Sequence, residues 1–282
     1  MENQNLTVRP TVLDYNDIIK IVPRLEGHEK LVNSLLHFLS VDKVNGVHSR
    51  CCDTPGPEFV RRLLFEEFKV KLRIDNEQLL DHLPEGAFVT VSNHPFGALD
   101  GITLIHLIAS RRPEFKVMVN MVLNQISAMR PNFIAVDALA SDDPAKKQVS
   151  MRGIREVIKQ IRGGNPVGFF PAGAVSKINI KGELNDREWQ PTVVRLIEQL
   201  KVPVIPIYFH GSNSWWFNFL GVVSWQLRTL RLPAEVFRKS GKEIHVSVGD
   251  VISVEEQQRH QGSVAEFGEF LKSKTYELRK CR

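Results

Sequence analysis

The sequence predicts an α/β fold in which a largely parallel central sheet is flanked by helices. From about residue 87 onwards, short apolar segments typical of buried strands alternate with longer segments whose apolar residues recur every three or four positions. The connections between these segments are short, which is typical of parallel strands joined by crossover helices. A hydrophobic content of 43% and a charged content of 24% exclude the disordered and fibrous classes.

The first part of the chain predicts a helical N-terminal cap over residues 1–68. Residues 11–40 contain two short amphipathic helices, IIKIVPRL and EKLVNSLLHFL, and the segment CCDTPGPEF that follows is rich in turn residues. Pro57 then opens a further helix, EFVRRLLFEEF. The alternating segment KVKLRI, residues 69–74, predicts the first strand.

Residues 69–255 predict the α/β domain, and residues 256–282 predict a charged C-terminal helix. The expected later strands are, in chain order, AFVTVS, PNFIAVD, NPVGFF, VPVIPIYF and EIHVSVGDVI. The expected helices between them are GITLIHLIAS, DPAKKQVSMRGIREVIKQIRGG and PTVVRLIEQL. KVMVNMVL is compatible with a strand or a helix. Alternation in the last strand places His245 on the solvent side.

Composition narrows the function classes. Three cysteines without a CxxC pair predict neither a disulfide framework nor a metal site, and they favour a reducing cytosolic setting. A net charge of +5 suits an anionic partner, but no nucleic-acid-binding module is present, so nucleic acid is not expected as a partner.

The polar N-terminus excludes a secretory signal peptide. The longest apolar stretch, Trp215 to Trp225, has about eleven residues, whereas a spanning helix needs roughly 20.

The segment NHPFGALDG, residues 93–101, is the sharpest local feature. A predicted strand delivers His94 to the carboxyl edge of the sheet, and a Pro-Phe-Gly turn leads to Asp100 at the start of a helix. Open α/β sheets bind ligands at such strand ends. A histidine held there by a carboxylate can act as a general base on a hydroxyl group. With nine histidines and many acidic residues in the chain, this spacing alone also arises by chance.

A second candidate segment is FFPAGAVSK, residues 169–177. It also follows a hydrophobic strand, and its turn contains Gly173, Ser176 and Lys177. Such a turn can present backbone N–H groups and one cation to a phosphate or to a developing oxyanion, or it can be an ordinary strand-to-loop turn. Ser176 is a poor candidate for a nucleophile because no GxSxG elbow is present.

Taken in order, the segments NHPFGALDG, PNFIAVD, FFPAGAVS and VPVIPIYFHG resemble the lysophospholipid acyltransferase family. That family includes the 1-acylglycerol-3-phosphate acyltransferases, and the resemblance is strongest to its bacterial, hemolysin-like branch. It covers roughly residues 60–250. The resemblance implies transfer of a fatty acyl group from an acyl carrier protein or coenzyme A thioester to the hydroxyl of a lysolipid, with no cofactor and no metal.

The resemblance also assigns roles to matching residues. His94 corresponds to the base that takes the proton from the acceptor hydroxyl, and Asp100 corresponds to the carboxylate that orients its imidazole. The expected substrate-binding residues are Asn93, Asp137, Phe170, Pro171, Gly173, Ser176 and Lys177.

The sequence departs from the family pattern in three places. Five residues instead of four separate His94 from Asp100, and Gly97 is expected to help the turn absorb the extra residue. Ala172 stands where glutamate is usual, and Val175 stands where arginine is usual. Asp137 is followed by alanine instead of arginine.

Arginine suits forked contacts with phosphate oxygens, so these losses point away from a glycerol-phosphate acceptor. They favour a lyso-aminolipid, an N-acyl amino acid of the ornithine- or glycine-lipid type. Acylation of lysophosphatidic acid is the enzymatic alternative. A catalytically silent lipid-binding protein is the non-enzymatic one.

Residues 212–239 are expected to bind an anionic membrane surface. They contain three of the four tryptophans, together with Arg228 and Arg231, and only one acidic residue. Tryptophan beside apolar residues and followed by cations is typical of an interfacial segment, although a core helix with a basic exposed face is the alternative. The expected location is therefore peripheral, on the cytoplasmic face of the inner membrane.

Overall fold

The computed structural model describes residues 8–137, 144–178, 184–260 and 262–280, and it confirms the predicted α/β architecture. Seven strands form one mixed, mostly parallel sheet in the order β1-β9-β8-β2-β5-β3-β4, and two more form a small antiparallel ribbon, β6-β7. The strands are β1 (Lys71–Asp75), β2 (Val89–Ser92), β3 (Lys116–Asn120), β4 (Phe133–Val136), β5 (Val167–Phe169), β6 (Lys177–Ile178), β7 (Leu184–Asn185), β8 (Val204–His210) and β9 (Glu243–Val248).

Helices flank this sheet, and those of the N-terminal region precede its first strand in the chain. They are α1 (Tyr15–Ile21), α2 (Glu29–Phe38), α3 (Val41–Cys51), α4 (Pro57–Arg62), α5 (Ala98–Ala109), α6 (Pro144–Arg162), α7 (Pro191–Leu200), α8 (Trp215–Val223), α9 (Trp225–Leu230), α10 (Leu232–Arg238), α11 (Val254–Gln258) and α12 (Val264–Glu277). None of the helices in the described ranges is long and apolar enough to cross a membrane.

The direction of the strands explains where a site can form. Strands β2, β3, β4, β5 and β8 run parallel, whereas β9 pairs antiparallel to β8 and parallel to β1. The carboxyl ends of β2, β5 and β8, which are neighbours in the sheet, therefore meet at one edge. KVMVNMVL begins with strand β3, which resolves the ambiguity left by its sequence.

Two hydrophobic clusters pack on the sheet. One of them joins Phe59 and Val60 of α4 with Ile207 of β8, so part of the predicted N-terminal cap belongs to the same core as the sheet. The other joins Phe267 of the C-terminal helix with Val204 of β8. Helices from both ends of the chain thus pack on the same sheet, and the domain boundaries near residues 68 and 255 stay a prediction.

The N-terminal region contains one more helix than the sequence analysis predicted. Residues 41–51, for which the sequence analysis predicted no element, form α3. Helix α2 buries Val32 and Leu36 and leaves the side chains of Leu31, Leu35 and Phe38 exposed. Pro57 is the first residue of α4, as expected, and a π-helical turn continues that helix to Glu67.

Candidate active site

The loop that carries His94 connects β2 directly to α5. Strand β2 is buried along its whole length and ends at Ser92, and α5 begins at Ala98. Between them Gly97 adopts a φ of 83°, in the left-handed region that favours glycine. A Cβ atom at Gly97 would lie 2.8 Å from Cδ2 of Leu232, so a larger residue there would have to displace the Leu232 side chain.

His94 and Asp100 meet despite the extra residue between them. Nδ1 of His94 lies 3.0 Å from Oδ2 of Asp100. The approach is not aligned as a hydrogen bond, and contacts of this kind often tighten only when substrate is bound. The imidazole is partly exposed and the carboxylate is fully buried. The predicted contact is therefore present, and the imidazole is more exposed than its partner.

The Asp100 carboxylate also closes the turn. Its Oδ2 atom accepts hydrogen bonds from the backbone N–H groups of Phe96, at 2.8 Å, and Gly97, at 2.9 Å. Complete burial raises the pKa of Asp100, whereas the contact with His94 and the two backbone hydrogen bonds lower it. One carboxylate oxygen thus caps the start of α5 and faces the imidazole.

Asn93 joins the ends of two neighbouring strands. Its side-chain amide donates to the backbone carbonyl of Phe209 at 2.9 Å, and its side-chain oxygen accepts from the N–H of Phe209 at 2.7 Å. The side chain is buried. Its role in this structure is to tie β2 to β8, and a contact between Asn93 and substrate stays a prediction.

The second candidate segment lies against the first. The ring of Phe170 packs on the imidazole of His94, with centroids 4.3 Å apart and an interplanar angle of 35°. The following turn is closed by a hydrogen bond from Gly173 N–H to the Phe170 carbonyl, and Gly173 has a φ of 63°. Pro171 is buried, and its carbonyl accepts from the N–H of Gln190. Phe170 is the residue of this segment whose side chain packs on the imidazole of His94.

Three other predicted binding residues have different surroundings. Ser176 is buried, and its hydroxyl donates to Asp186, so a contact between Ser176 and substrate stays a prediction. Lys177 is exposed at the start of the β6-β7 ribbon. Asp137 follows β4 at the same edge of the sheet as His94, but β3 and β5 stand between β4 and β2.

Sequence analysis missed Asp186, a buried carboxylate beside the His94 loop. Its Oδ1 atom accepts from the His94 N–H at 3.2 Å and from the Ser176 hydroxyl at 2.5 Å, and its Oδ2 atom accepts from the Trp189 indole N–H at 3.2 Å. The backbone N–H of Asp186 donates to the Tyr276 hydroxyl at 2.7 Å. No motif in the sequence marks Asp186, because its partners come from three separate parts of the chain.

The positions that depart from the family pattern are apolar and packed. Ala172 and Val175, where the resemblance implies a glutamate and an arginine, are both buried. The carbonyl of Val175 accepts a hydrogen bond from the guanidinium of Arg228 at 3.2 Å. The alanine after Asp137 lies outside the described residues. The described part of this segment therefore offers no forked cation of its own.

One group in the described ranges has the spacing of metal ligands. Candidate ligand atoms of Asp75, His210 and His245 lie within 4.8 Å of one another, but they already bond to each other and to Ser247. The imidazoles of His210 and His245 stack with their ring centroids 3.9 Å apart. Burial lowers the pKa of His210 to about 4, and the neighbouring His245 contributes to this shift. The expectation that His245 faces solvent is wrong, because it packs between His210 and Asp75.

The segment predicted to meet a membrane has an exposed aromatic face. Trp215 is 65% exposed, Trp216 is 59% exposed, and both rings pack against Phe219 on α8. The prediction that Arg228 is one of the cations facing the membrane is wrong. Arg228 is only 6% exposed, and its guanidinium lies over the ring of Phe217. Burial and the nearby Arg187 lower the pKa of Arg228. Arg228 therefore supports the fold and is not available to lipid head groups.

The geometry supports base catalysis on a hydroxyl group. A partly exposed imidazole is held by a buried carboxylate at the carboxyl edge of the sheet, where α/β folds bind their ligands. The aromatic side chain of Phe170 covers one face of that imidazole.

Comparison with known proteins points to one family. The chain matches the acyltransferase family over residues 31–282. It is 25% identical over 272 residues to a lyso-glycine lipid O-acyltransferase of Phocaeicola vulgatus, covering 92% of this chain and 89% of that protein. It is also 25% identical over 260 residues to a protein of the same name from Bacteroides thetaiotaomicron, covering 88% and 89%. A solved structure of the 1-acyl-sn-glycerophosphate acyltransferase of Thermotoga maritima aligns with a TM-score of 0.49 and 11% identity, covering 79% of this chain and 77% of that one.

Proposed function

The chain belongs to the acyltransferase family, and from this premise we propose that it transfers a fatty acyl group to the hydroxyl of a lyso-aminolipid of the glycine-lipid kind. The donor is an acyl thioester on acyl carrier protein or coenzyme A. The observation that carries the proposal is the contact at 3.0 Å between His94 and the buried Asp100, at the carboxyl edge of the sheet.

The reaction follows from the chemistry of this pair. The second ring nitrogen of His94, Nε2, takes the proton from the acceptor hydroxyl as the hydroxyl oxygen attacks the thioester carbonyl. Asp100 faces Nδ1, which keeps the proton on that nitrogen and stabilises the imidazolium that forms. The tetrahedral intermediate then expels the thiolate, which recovers the proton from His94. The products are the O-acylated lipid and the free thiol, and no cofactor is needed.

We propose the acceptor class because the segment that contains Ala172 and Val175 lacks arginine side chains that could bind a phosphate group. Ala172 and Val175 are buried and apolar, so neither can bind a phosphate group. Lys177 is the exposed cation of that segment, and one ammonium group is enough for the single charge of a carboxylate. The names of the two curated relatives, lyso-glycine lipid O-acyltransferases, support the same acceptor class. Lysophosphatidic acid is the alternative acceptor.

A lipid acceptor also requires contact with a bilayer. The exposed face of Trp215, Trp216 and Phe219 supports docking of this region on a membrane surface, because indole rings favour the head-group depth of a bilayer. With Arg228 buried, the docking of this segment depends more on its aromatic rings than the sequence suggested.

Lipid profiling of a bacterial host tests the proposal. We expect expression of the chain to deplete hydroxylated N-acyl amino acids and to raise their O-acylated forms, as measured by mass spectrometry. The matched control is His94→Ala, which should leave the host profile unchanged. A change confined to phosphatidic acid species would favour the alternative acceptor. An unchanged profile with a folded, membrane-bound protein would favour a silent lipid-binding protein.

A further inference from the structure

We infer that Asp186 positions the backbone of His94 for proton transfer. The inference rests on the proposed function in one respect, because it takes His94 as the base. The side chain of Asp186 does not touch the imidazole in any described contact. It acts on the backbone of His94 and on the turn that packs beside it.

Both backbone polar atoms of His94 are held from outside its own loop. The N–H donates to Oδ1 of Asp186 at 3.2 Å, and the carbonyl accepts from the N–H of Ser176 at 2.8 Å. The ring is then oriented by Asp100 on one side and by Phe170 on its face. Such positioning is costly to lose, because a displacement of about 1 Å can lower a rate on the order of 10²-fold.

Asp186 is itself fixed by three other elements. Ser176 reaches it from the Phe170 turn, Trp189 from the segment before α7, and Tyr276 from α12. The carboxylate accepts three hydrogen bonds from protein donors, two at one oxygen and one at the other. Asp186 therefore connects the C-terminal helix to the catalytic loop.

This pattern requires a carboxylate rather than an amide. A carboxylate has only acceptors, so both of its oxygens can face N–H or O–H donors. An asparagine at position 186 would turn an NH₂ group towards either the Trp189 indole N–H or the His94 and Ser176 donors. A buried donor left facing another donor costs about 1–3 kcal/mol, which the loop can relieve only by moving.

The turn after Phe170 has no carboxylate of its own, and Ala172 within it is buried. Asp186 places a buried carboxylate against this turn through the Ser176 hydroxyl.

The test measures steady-state kinetics of Asp186→Asn against Asp81→Asn, an exposed aspartate that pairs with Arg111 on the surface. We expect kcat to fall about 10–100-fold in Asp186→Asn, with the acceptor KM within about threefold of wild type, because the base is displaced while the acceptor contacts remain. Asp81→Asn should match wild type. A kcat within threefold of wild type for folded Asp186→Asn overturns the inference.

A double-mutant cycle separates positioning from general damage. Asp100→Asn and Asp186→Asn both act through His94, so the double variant should lose much less activity than the product of the two single losses. Fully multiplicative losses would show that Asp186 acts elsewhere and would overturn the inference. If Asp186→Asn does not fold, Ser176→Ala carries the cycle instead, since it keeps the carboxylate and removes one of its donors.

Hydrogen exchange provides a readout that needs no substrate. The amide of His94 should exchange at least tenfold faster in Asp186→Asn, because its acceptor is weakened, and it should be unchanged in Asp81→Asn. An unchanged exchange rate overturns the inference. The proposed acceptor can fail in the lipid assays while this result stands, so the two proposals fail separately.

Discussion

Replacing Asp100 by asparagine separates catalysis from folding at this site. An asparagine oxygen can still accept from the N–H groups of Phe96 and Gly97, so the turn that begins α5 keeps its hydrogen bonds. The charge that faces His94 is lost. We therefore expect kcat to fall about 10²–10⁴-fold, equivalent to about 2.7–5.5 kcal/mol of activation free energy.

The stability of the same variant should change little, because two effects oppose each other. Burial raises the pKa of Asp100 above its value in the unfolded chain, so its contribution to stability is greatest below the unfolded pKa and is lost as pH rises through the folded pKa. The neutral asparagine avoids that loss. Its NH₂ group, however, takes the buried place of Oδ1, which has no hydrogen-bond partner among the described residues, at a cost of about 1–3 kcal/mol. Tm should therefore stay within a few degrees of that of wild type.

The assay follows acyl transfer from a thioester by release of free thiol, with Tm measured by circular dichroism on the same preparations. His94→Ala is the reference for complete loss of the base. Asp100→Asn with kcat within threefold of wild type would refute the reasoning about the pair. A Tm several degrees lower would refute the reasoning about burial, even if the activity falls as expected.

Two further predictions concern the membrane face and the catalytic turn. Trp215→Ala combined with Trp216→Ala should weaken co-sedimentation with anionic liposomes at least tenfold, because each exposed ring can bury apolar area worth about 2 kcal/mol. The control is Val122→Ala, which changes a residue that is 74% exposed outside this segment and should bind like wild type. Equal sedimentation of the folded tryptophan variant and wild type would rule out docking through α8. Gly97→Ala should lower both Tm and kcat, since its φ of 83° disfavours alanine and its Cβ would meet Leu232 at 2.8 Å. Wild-type values for both would contradict the close packing.

The sequence predicted the features that depend on neighbouring residues. Buried strands and amphipathic helices are local patterns, and the order of strands and helices identified the sheet edge at which His94 lies. The contact between His94 and Asp100 was also predictable, because only a turn containing Gly97 separates them. Each of these features is encoded within a short stretch of chain.

The features that the sequence did not reveal depend on distant contacts. Asp186 meets the His94 N–H across 92 positions of the chain, and Arg228 reaches the carbonyl of Val175 across 53 positions. An arginine in a tryptophan-rich segment resembles a surface cation until its partner carbonyl is known. His245 likewise alternates as a solvent-facing residue, although the neighbouring strand covers it with His210. Such positions need the tertiary structure.

Direct competition between acceptors is the measurement that tests the central claim most closely. A lyso-glycine lipid and lysophosphatidic acid, matched in acyl chain, are offered at equal concentration in the same vesicles with one thioester donor, and kcat/KM is compared. Two missing charge-assisted contacts, worth roughly 1.5–3 kcal/mol each, predict a preference for the aminolipid of about a hundredfold or more. As a control, His94→Ala should acylate neither acceptor. A higher kcat/KM for lysophosphatidic acid would contradict the proposed acceptor and identify the chain's substrate as a phospholipid precursor.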